Sequence, residues 1–332
     1  TLVDDLIRGK VTFDNNHLDD FVIIKSDGMP TYNFAVVIDD ALMAITHVIR
    51  GEDHLSNTPK QIQIYEALGF SVPQFAHIPM ILGPDRTRLS KRHGATSVGQ
   101  FQEEGYLAEA MVNYLALLGW SFDDSQTLFS KNELIEKFTL AKVSKNPAVF
   151  DLAKLQWMNG VYIRELSLDE LYEQTLPLFQ GWGFVPTEVS SELEGKVRSV
   201  LKILQERIKV LSELREVSYY FFQDELHYDE KAVRKVLGKE GAVEILSTLL
   251  PELLSVTDYT QENLEPIFRK AQEQHQRKLA DIIQPVRVAV TGTNVSPGIY
   301  DVLAILGRAR TCQRIKDTLA LIKSRQEGSL GV

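Results

Sequence analysis

The 332-residue chain reads as an α/β half followed by a mostly α-helical half, and three observations carry that reading. Between residues 20 and 82 the pattern alternates strand, helix, strand. From residue 100 onward the apolar residues recur at helical spacing. After residue 151 hardly any segment has a strand pattern. At this length two or three domains are expected.

In chain order, "DFVIIKSDG" (20–28) is a β-branched run closed by Asp27-Gly28, a strand entering a turn. "AITHVIRGED" (44–53) is a second strand of the same kind. "TPKQIQIYEALG" (58–69) predicts a helix with Thr58 as N-cap, Pro59 in the first turn, Gln61 completing a capping box and Gly69 as the stop. "AHIPMILG" (76–83) supplies a third strand ending at Gly83-Pro84. Strand, helix, strand in this order predicts a parallel sheet with a right-handed crossover. "LAEAMVNYLALLGW" (107–120) places Leu107, Met111, Val112, Leu115 and Leu118 on one helical face. Ser130/Glu133 and Ser167/Glu170 are capping boxes opening further helices. "GWGFVPTEVSS" (181–191) reads as a loop, and "KVRSVLKILQERIKVLSEL" (196–214) as one long helix striped by Val197, Val200, Leu201, Leu204, Ile208, Leu211 and Leu214.

The net charge of −9 and a pI near 5.4 argue against generic nucleic-acid binding, though not against an RNA met by a local basic face. One cysteine, Cys312, allows no internal disulfide, which fits a reducing compartment. No Cys/His cluster has zinc-ligand spacing, so no zinc is expected. The apolar runs are shorter than the ~20 residues of a membrane helix, and no membrane partner is expected. The first residues, "TLVDDLIRGKVTF", carry no methionine, and the chain is expected to be a fragment.

Three stretches concentrate chemistry. "GPDRTRLSKRHGATS" (83–97) gathers Arg86, Arg88, Lys91, Arg92 and His93 in an acidic protein. On spacing alone it reads first as a solvated loop, as most charge runs do, with a polyphosphate clamp as the alternative. Ligands of open parallel sheets bind at the carboxyl ends of the strands, where this loop begins. "VIRGEDH" puts Arg50 at the end of its strand, suited to binding a carboxylate or phosphate; the alternative is a salt bridge to Glu52 or Asp53 that holds the turn. In "DGMPTYNFAVVIDD" Tyr32 and Asn33 offer a hydroxyl and an amide, although a tyrosine there also suits the core. None of the seven histidines pairs with a serine or carboxylate at a spacing that suggests a nucleophile.

Together, "SDGMPTYNFAVVIDDALMAITHVIRGEDHLSNTPKQIQIYEALG", "RLSKRHG" and, near the C-terminus, "QPVRVAVTGTNVSPGIYDVLAILG" resemble bacterial-type glutamyl-tRNA synthetases, class I aminoacyl-tRNA synthetases. The resemblance covers nearly the whole chain. It implies the second half of a Rossmann-type parallel sheet, then a helical anticodon-binding cage. The implied segments are 1–19, the tail of the acceptor-binding insertion; 20–82, the Rossmann half; 83–165, the signature loop and stem-contact domain; and 166–225 and 226–332, two anticodon-binding helical subdomains. The implied function is a glutamate–tRNA ligase: glutamate and ATP give glutamyl-adenylate, and the terminal ribose of tRNA(Glu) takes the glutamyl group.

By the same resemblance "RLSKR" is the class I Lys-Met-Ser-Lys-Ser signature. Arg88, Leu89 and Arg92 stand where the signature has lysine, methionine and its last serine, while Ser90 and Lys91 match. These five form the ATP-binding loop, with Lys91 and Ser90 catalytic and Lys91 on the phosphates. Tyr32 and Arg50 match glutamate-binding positions, and Asn33 and His54 lie beside them. Mg²⁺ accompanies the ATP phosphates. On the long helix Arg198, Lys202, Arg207 and Lys209 are candidate tRNA contacts, Arg207 for base readout, with solvation as the alternative for each. "LGRARTCQRIK" (306–316) is a second basic strip. A monomer in the bacterial cytoplasm is expected, with an organelle of bacterial descent as the alternative location. tRNA(Gln) is a possible second substrate.

The helical second half disfavours glutaminyl-tRNA synthetase, whose anticodon domains are β-barrels, and a truncated paralogue that lacks this region. The family's His-Ile-Gly-His-like element is missing from the sequence given, so this chain alone is expected not to form the adenylate. The remaining alternatives are a tRNA-binding module and a nucleotidyl-transferring protein of the same superfold that does not act on tRNA.

Overall fold

A computed structural model describes residues 1–94, 97–123 and 125–329, with side chains to Arg325. It divides into two compact units, Thr1–Asn159 and Gly160–Val332. The division falls inside helix α6 (Leu152–Glu165).

The first unit is built on a four-stranded sheet. Its strands are β1 (Leu2–Asp5), β2 (Gly9–Thr12), β3 (His47–Gly51) and β4 (Gln74–Ile78), in spatial order β2-β1-β4-β3. β3 and β4 run parallel, His47 opposite Gln74 through Gly51 opposite Ile78, and α2 (Thr58–Leu68) crosses between them. The expected strand–helix–strand unit is therefore present. Gly69 ends α2 with a φ of 69°, where a side chain would be strained. The residues expected as the tail of an insertion supply two strands of this sheet: β1 pairs antiparallel with β2 and parallel with β4.

Two strand expectations are corrected. Residues 20–28 do not join the sheet. Their backbone groups close a local turn, in which Lys25 N–H donates to Met29 O and Thr31 N–H to Ile23 O, with one bridge between Ile24 and Pro30. The β-branched run stays exposed because no strand pairs along it. The third strand breaks at Pro79, which has no N–H to donate. Beyond it, β5 (Ile81–Leu82) pairs with β6 (Ala148–Val149) in a separate small sheet. α1 (Tyr32–Leu42) and α2 cover the main sheet, burying Val37, Ile62, Ile64 and Tyr65 against Val3 and Phe75. Each such side chain contributes about 1.5–3 kcal/mol when fully buried.

The rest of this unit holds α3 (Val98–Glu103), α4 (Ala108–Leu117) and α5 (Lys131–Lys137). The Ser130/Glu133 capping box forms. The predicted face of α4 is partly wrong: Val112 and Leu115 are exposed, and the buried side carries Ala110, Met111, Asn113 and Tyr114. Asn113 is tolerated there because its amide donates to Thr127 O and accepts from Phe129 N–H.

All the regular structure among the second unit's described residues is helical. It contains α7 (Leu168–Gly181), α8 (Ser191–Leu204), α9 (Leu214–Phe222) and α10 (Glu230–Ala232), the last running into a π-helical turn, Val233–Leu237. α11 (Ala242–Ser255), α12 (Gln261–His275), α13 (Leu279–Thr291) and α14 (Ile299–Ser329) follow. Gly307, with non-helical angles, breaks α14. Ser167/Glu170 caps α7 as expected. The helix expected over 196–214 stops at Leu204; two short 3₁₀ turns, 205–207 and 211–213, lead into α9. Its apolar stripe is buried along its whole length, so periodicity located the core but missed the break.

Gly292 caps α13 with a φ of 77°, and a Cβ there would overlap the His227 carbonyl oxygen. Gly292→Ala is expected to cost about 2–4 kcal/mol, from left-handed strain plus overlap. Gly195, inside α8 with open space around it, is the control. Gly195→Ala should stabilise by about 0.5–1 kcal/mol. Urea unfolding midpoints of the two variants test both signs.

Candidate active site

The carboxyl ends of β3 and β4 open onto a cleft of about 220 Å³ lined by Gly51, Asp53, Ile78, Pro79, Met80, Ile81, Arg88 and Leu89. The β3–α2 segment and the basic loop therefore meet at one place, although the loop follows β5 rather than a strand of the main sheet.

Arg50, the last cationic residue of β3, is half-buried, and its guanidinium is held by neutral acceptors. Nε donates to His77 Nε2 at 3.1 Å. Nη2 donates to Thr58 Oγ1 at 2.9 Å, to Gln61 Oε1 at 2.8 Å and to the His54 carbonyl at 3.4 Å. Burial pushes the Arg50 pKa down, and Tyr32 and Asp40 partly offset this. The salt-bridge alternative is not what forms: Glu52 pairs with Arg8, and Asp53 with Arg88 at 2.8 Å. None of these hydrogen-bond partners is charged, so the guanidinium is not paired with an anion in direct contact, although Asp40 acts on it from farther away.

The other glutamate-site candidates surround it. The Tyr32 hydroxyl lies 3.3 Å from His54 Nδ1, and its ring is half-exposed. Asn33 is tied to the same frame, its Oδ1 accepting from Gln61 Nε2 at 3.0 Å. That contact fixes which end of the Gln61 amide faces Arg50. Thr58 and Gln61 thus do not form the expected capping box. Asn57 occupies the N-cap, and both side chains are spent on Arg50.

Sequence reasoning missed Asp5 and His77. His77 sits in the middle of β4 with no exposed surface, and its Nδ1 lies 2.6 Å from Asp5 Oδ2. Burial would raise the Asp5 pKa, but N–H groups of Arg8, Ile7 and His77 and the His77 ring all donate to it, and it ends up lowered. For His77 burial prevails over the Asp5 carboxylate, and its pKa is lowered. The ring is therefore neutral at pH 7, donating from Nδ1 to Asp5 and accepting at Nε2 from Arg50. Asp5 and His77 are 72 residues apart, and a histidine inside an apolar strand gives no local sign of its partner.

The basic loop folds back on β5: Leu89 N–H donates to Ile81 O and Gly83 N–H to Thr87 O. Arg92 pairs with Asp85 at 3.0 Å, and Arg88 with Asp53. His93 accepts from Ser90 N–H at Nδ1 and lies 3.2 Å from Asp85 at Nε2. The Thr87 N–H and hydroxyl, with His93, hold the Asp85 carboxyl down at about 2. Lys91 is exposed and has no ion-pair partner among the described residues. Of the loop's signature cations it is the one left for a ligand. Ala95 and Thr96 of the loop lie outside the described residues.

In the second unit, Arg198 is engaged by Asp169 at 2.6 Å and Glu194 at 2.8 Å, and lies over the Tyr172 ring at 4.3 Å. Lys202 is exposed on α8, and Arg207 is exposed in the turn beyond it. Lys209 follows, its backbone N–H donating to Glu213. The second basic strip is largely structural. Arg310 binds Asp224 and the Phe221 carbonyl, while buried Arg314 binds the carbonyls of Val290 and Gln223. A larger cavity of about 990 Å³ lies between Glu230 and Glu244 of this unit, but acidic and basic side chains alternate around it and none converges as those around Arg50 do.

A βαβ unit with Arg50 at the end of β3, and Arg88 and Leu89 of the basic loop lining the cleft beside it, lies within the part of the chain that matches class I tRNA synthetases. Residues 1–157 match the family described as tRNA synthetases class I (E and Q), catalytic domain, and residues 170–319 match the anticodon binding domain. The chain is 48% identical over 318 residues to glutamate–tRNA ligase 2 of Caldicellulosiruptor saccharolyticus, covering 96% of this chain and 65% of that one. It is 45% identical over 328 residues to glutamate–tRNA ligase 1 of Caldanaerobacter subterraneus, covering 99% of this chain and 68% of that one. A crystal structure of the Elizabethkingia meningosepticum glutamate–tRNA ligase with its amino acid superposes with a TM-score of 0.81 at 32% identity, over 97% of this chain and 66% of that one. The chain belongs to the glutamate–tRNA ligase family, and it spans about two thirds of the length of these relatives. No described helix is long and apolar enough to cross a membrane.

Proposed function

We propose that this chain is the part of a glutamate–tRNA ligase that binds glutamate, holds the ATP phosphates through its lysine loop and carries the anticodon-binding helices. The observation that carries the reading is the Arg50 guanidinium, hydrogen-bonded by neutral acceptors at the end of β3, beside a cleft that Gly51 and Asp53 share with Arg88 and Leu89 of the Lys91 loop. Arg50, with Tyr32 and His54 beside it, takes a carboxylate of glutamate, and Asn33 acts through Gln61. The α-carboxylate oxygen attacks the α-phosphorus of ATP and pyrophosphate leaves. Lys91 meets the charge that develops on the phosphates. The terminal ribose hydroxyl of tRNA then attacks the acyl carbon and releases AMP. No covalent enzyme intermediate is needed, because positioning supplies much of the rate.

Ser90, Arg88, Leu89 and Arg92 shape the loop in this reading. The ion pairs of Arg88 and Arg92 hold its resting form and exchange for phosphate when ATP binds. Mg²⁺ enters as a companion of the ATP phosphates. Among the described residues no three His, Cys, Asp or Glu side chains converge as metal ligands, and no step is assigned to the ion. Lys202, Arg207 and Lys209 face the tRNA, and Arg198 acts mainly as a brace. The protein works as a monomer in the bacterial cytoplasm.

Charging assays on the full-length gene product with purified tRNA(Glu) and tRNA(Gln) test the proposal. Glutamate esterified to tRNA(Glu) is the expected result, and the tRNA(Gln) reaction reads discrimination. RNA binding without charging of either tRNA would reduce the protein to a binding module.

A further inference from the structure

We infer that Asp5 and His77 are positioning residues for Arg50: the buried carboxylate selects the ring tautomer, and the ring then aims the guanidinium at the ligand. The inference rests on the reading of Arg50 as the glutamate-binding residue.

The geometry is a chain of three groups from three neighbouring strands, β1, β4 and β3. Asp5 is fixed first. Its Oδ1 accepts the N–H groups of Ile7 and Arg8, at 3.0 and 2.8 Å, and its Oδ2 accepts from His77 N–H and the ring. A carboxylate so placed accepts only, so His77 carries its proton on Nδ1. Nε2 is then a lone pair, the one state in which it can receive Arg50 Nε–H. Thr58, Gln61 and the His54 carbonyl take Nη2. Nη1 is committed to none of these acceptors, and the Tyr32 hydroxyl is a hydrogen-bonding neighbour of the guanidinium. The frame therefore leaves one corner of a planar cation for one carboxylate, and sets its direction.

A wrong proton on His77 puts two donors face to face. Asp5→Asn creates this without a cavity. Where its amide N–H opposes Nδ1, the ring proton moves to Nε2, which then faces Arg50 Nε–H. Nε2–H turns to Thr58 Oγ1, 3.2 Å away, as its acceptor, so Arg50 loses its partner. Acid does the same by protonating the ring. The charged groups facing His77 are Asp5 from β1, Arg8 from the β1–β2 turn and Arg50 from β3. Burial and the two arginines outweigh Asp5, so the ring titrates below 6.5. The glutamate KM should stay flat from about pH 8 down through the ordinary histidine range and climb only in more acid solution.

The test is steady-state charging by the full-length gene product, with KM measured separately for glutamate, ATP and tRNA. Asp5→Asn and His77→Leu are expected to raise the glutamate KM at least tenfold and to move the ATP and tRNA values less than twofold. His77→Gln keeps an acceptor for Arg50 and a donor for Asp5. It should stay within about threefold of wild type and lose the acid limb of the glutamate KM. A glutamate KM within twofold of wild type in Asp5→Asn, with charging otherwise normal, overturns the positioning role. So does a His77→Gln profile with the wild-type acid limb. If His77→Leu does not fold, Asp5→Asn and His77→Gln decide. Wild-type protein that charges no tRNA with glutamate sinks the ligase reading itself, a result distinct from the other two.

Discussion

Lys91→Ala is expected to lower kcat for glutamate charging by about 10²–10³-fold, the loss seen when one preorganised group that stabilises transition-state charge is removed. The structure separates this effect from any effect on folding. Lys91 is exposed and makes no ion pair among the described residues, whereas Arg88 and Arg92 of the same loop are held by Asp53 and Asp85. Removing the Lys91 side chain therefore takes away nothing that supports the loop, and the thermal midpoint should not move. Glutamate KM should change little, because the Arg50 frame does not touch Lys91. Lys91→Arg restores the charge on a planar, differently hydrated head, and partial recovery is expected. Rapid-quench measurement of a single turnover at saturating ATP reads the chemical step directly. Unchanged kcat in Lys91→Ala would return the loop to the solvated reading.

Arg50→Leu is expected to have the opposite signature, a glutamate KM raised about 100-fold, worth about 2.7 kcal/mol. It also costs stability, because His77 Nε2 and Gln61 Oε1 lose their donor in a part-buried site. An unsatisfied polar group of this kind costs about 1–3 kcal/mol. Arg50→Lys should not rescue binding. A single ammonium cannot reach His77, Thr58 and Gln61 together, and it has no planar fork to hold a fixed corner toward a carboxylate. Isothermal unfolding beside the KM measurement separates the two losses. A midpoint that falls while the glutamate KM stays put would mark Arg50 as purely structural.

Local chemistry was legible in the sequence wherever it is local in the chain. Gly69, Ser130/Glu133 and Ser167/Glu170 act where their spacing placed them, because caps and stops involve residues three or four apart. The stripe from Val197 to Leu214 is buried as expected, yet periodicity says nothing of a backbone break that keeps the same residues inside. "FVII" had strand composition without a partner strand, and pairing is a tertiary property that no window contains. The site divides in the same way. Arg50, Tyr32 and the Lys91 loop were singled out as candidates from motif order, whereas Asp5 and His77 were not, since a buried pair 72 residues apart leaves no spacing to recognise. Thr58 and Gln61 were noticed for a reason that turned out to be wrong. Their spacing imitates a capping box, while their side chains serve the guanidinium.

The measurement that bears most directly on the ligase reading is transfer of radiolabelled glutamate to purified tRNA(Glu) by the full-length gene product, with Lys91→Ala run in parallel. The account predicts ATP-dependent, acid-precipitable label with the wild type and its near-complete loss in the variant. No label on any tRNA with the wild type, or equal label with both proteins, would contradict it.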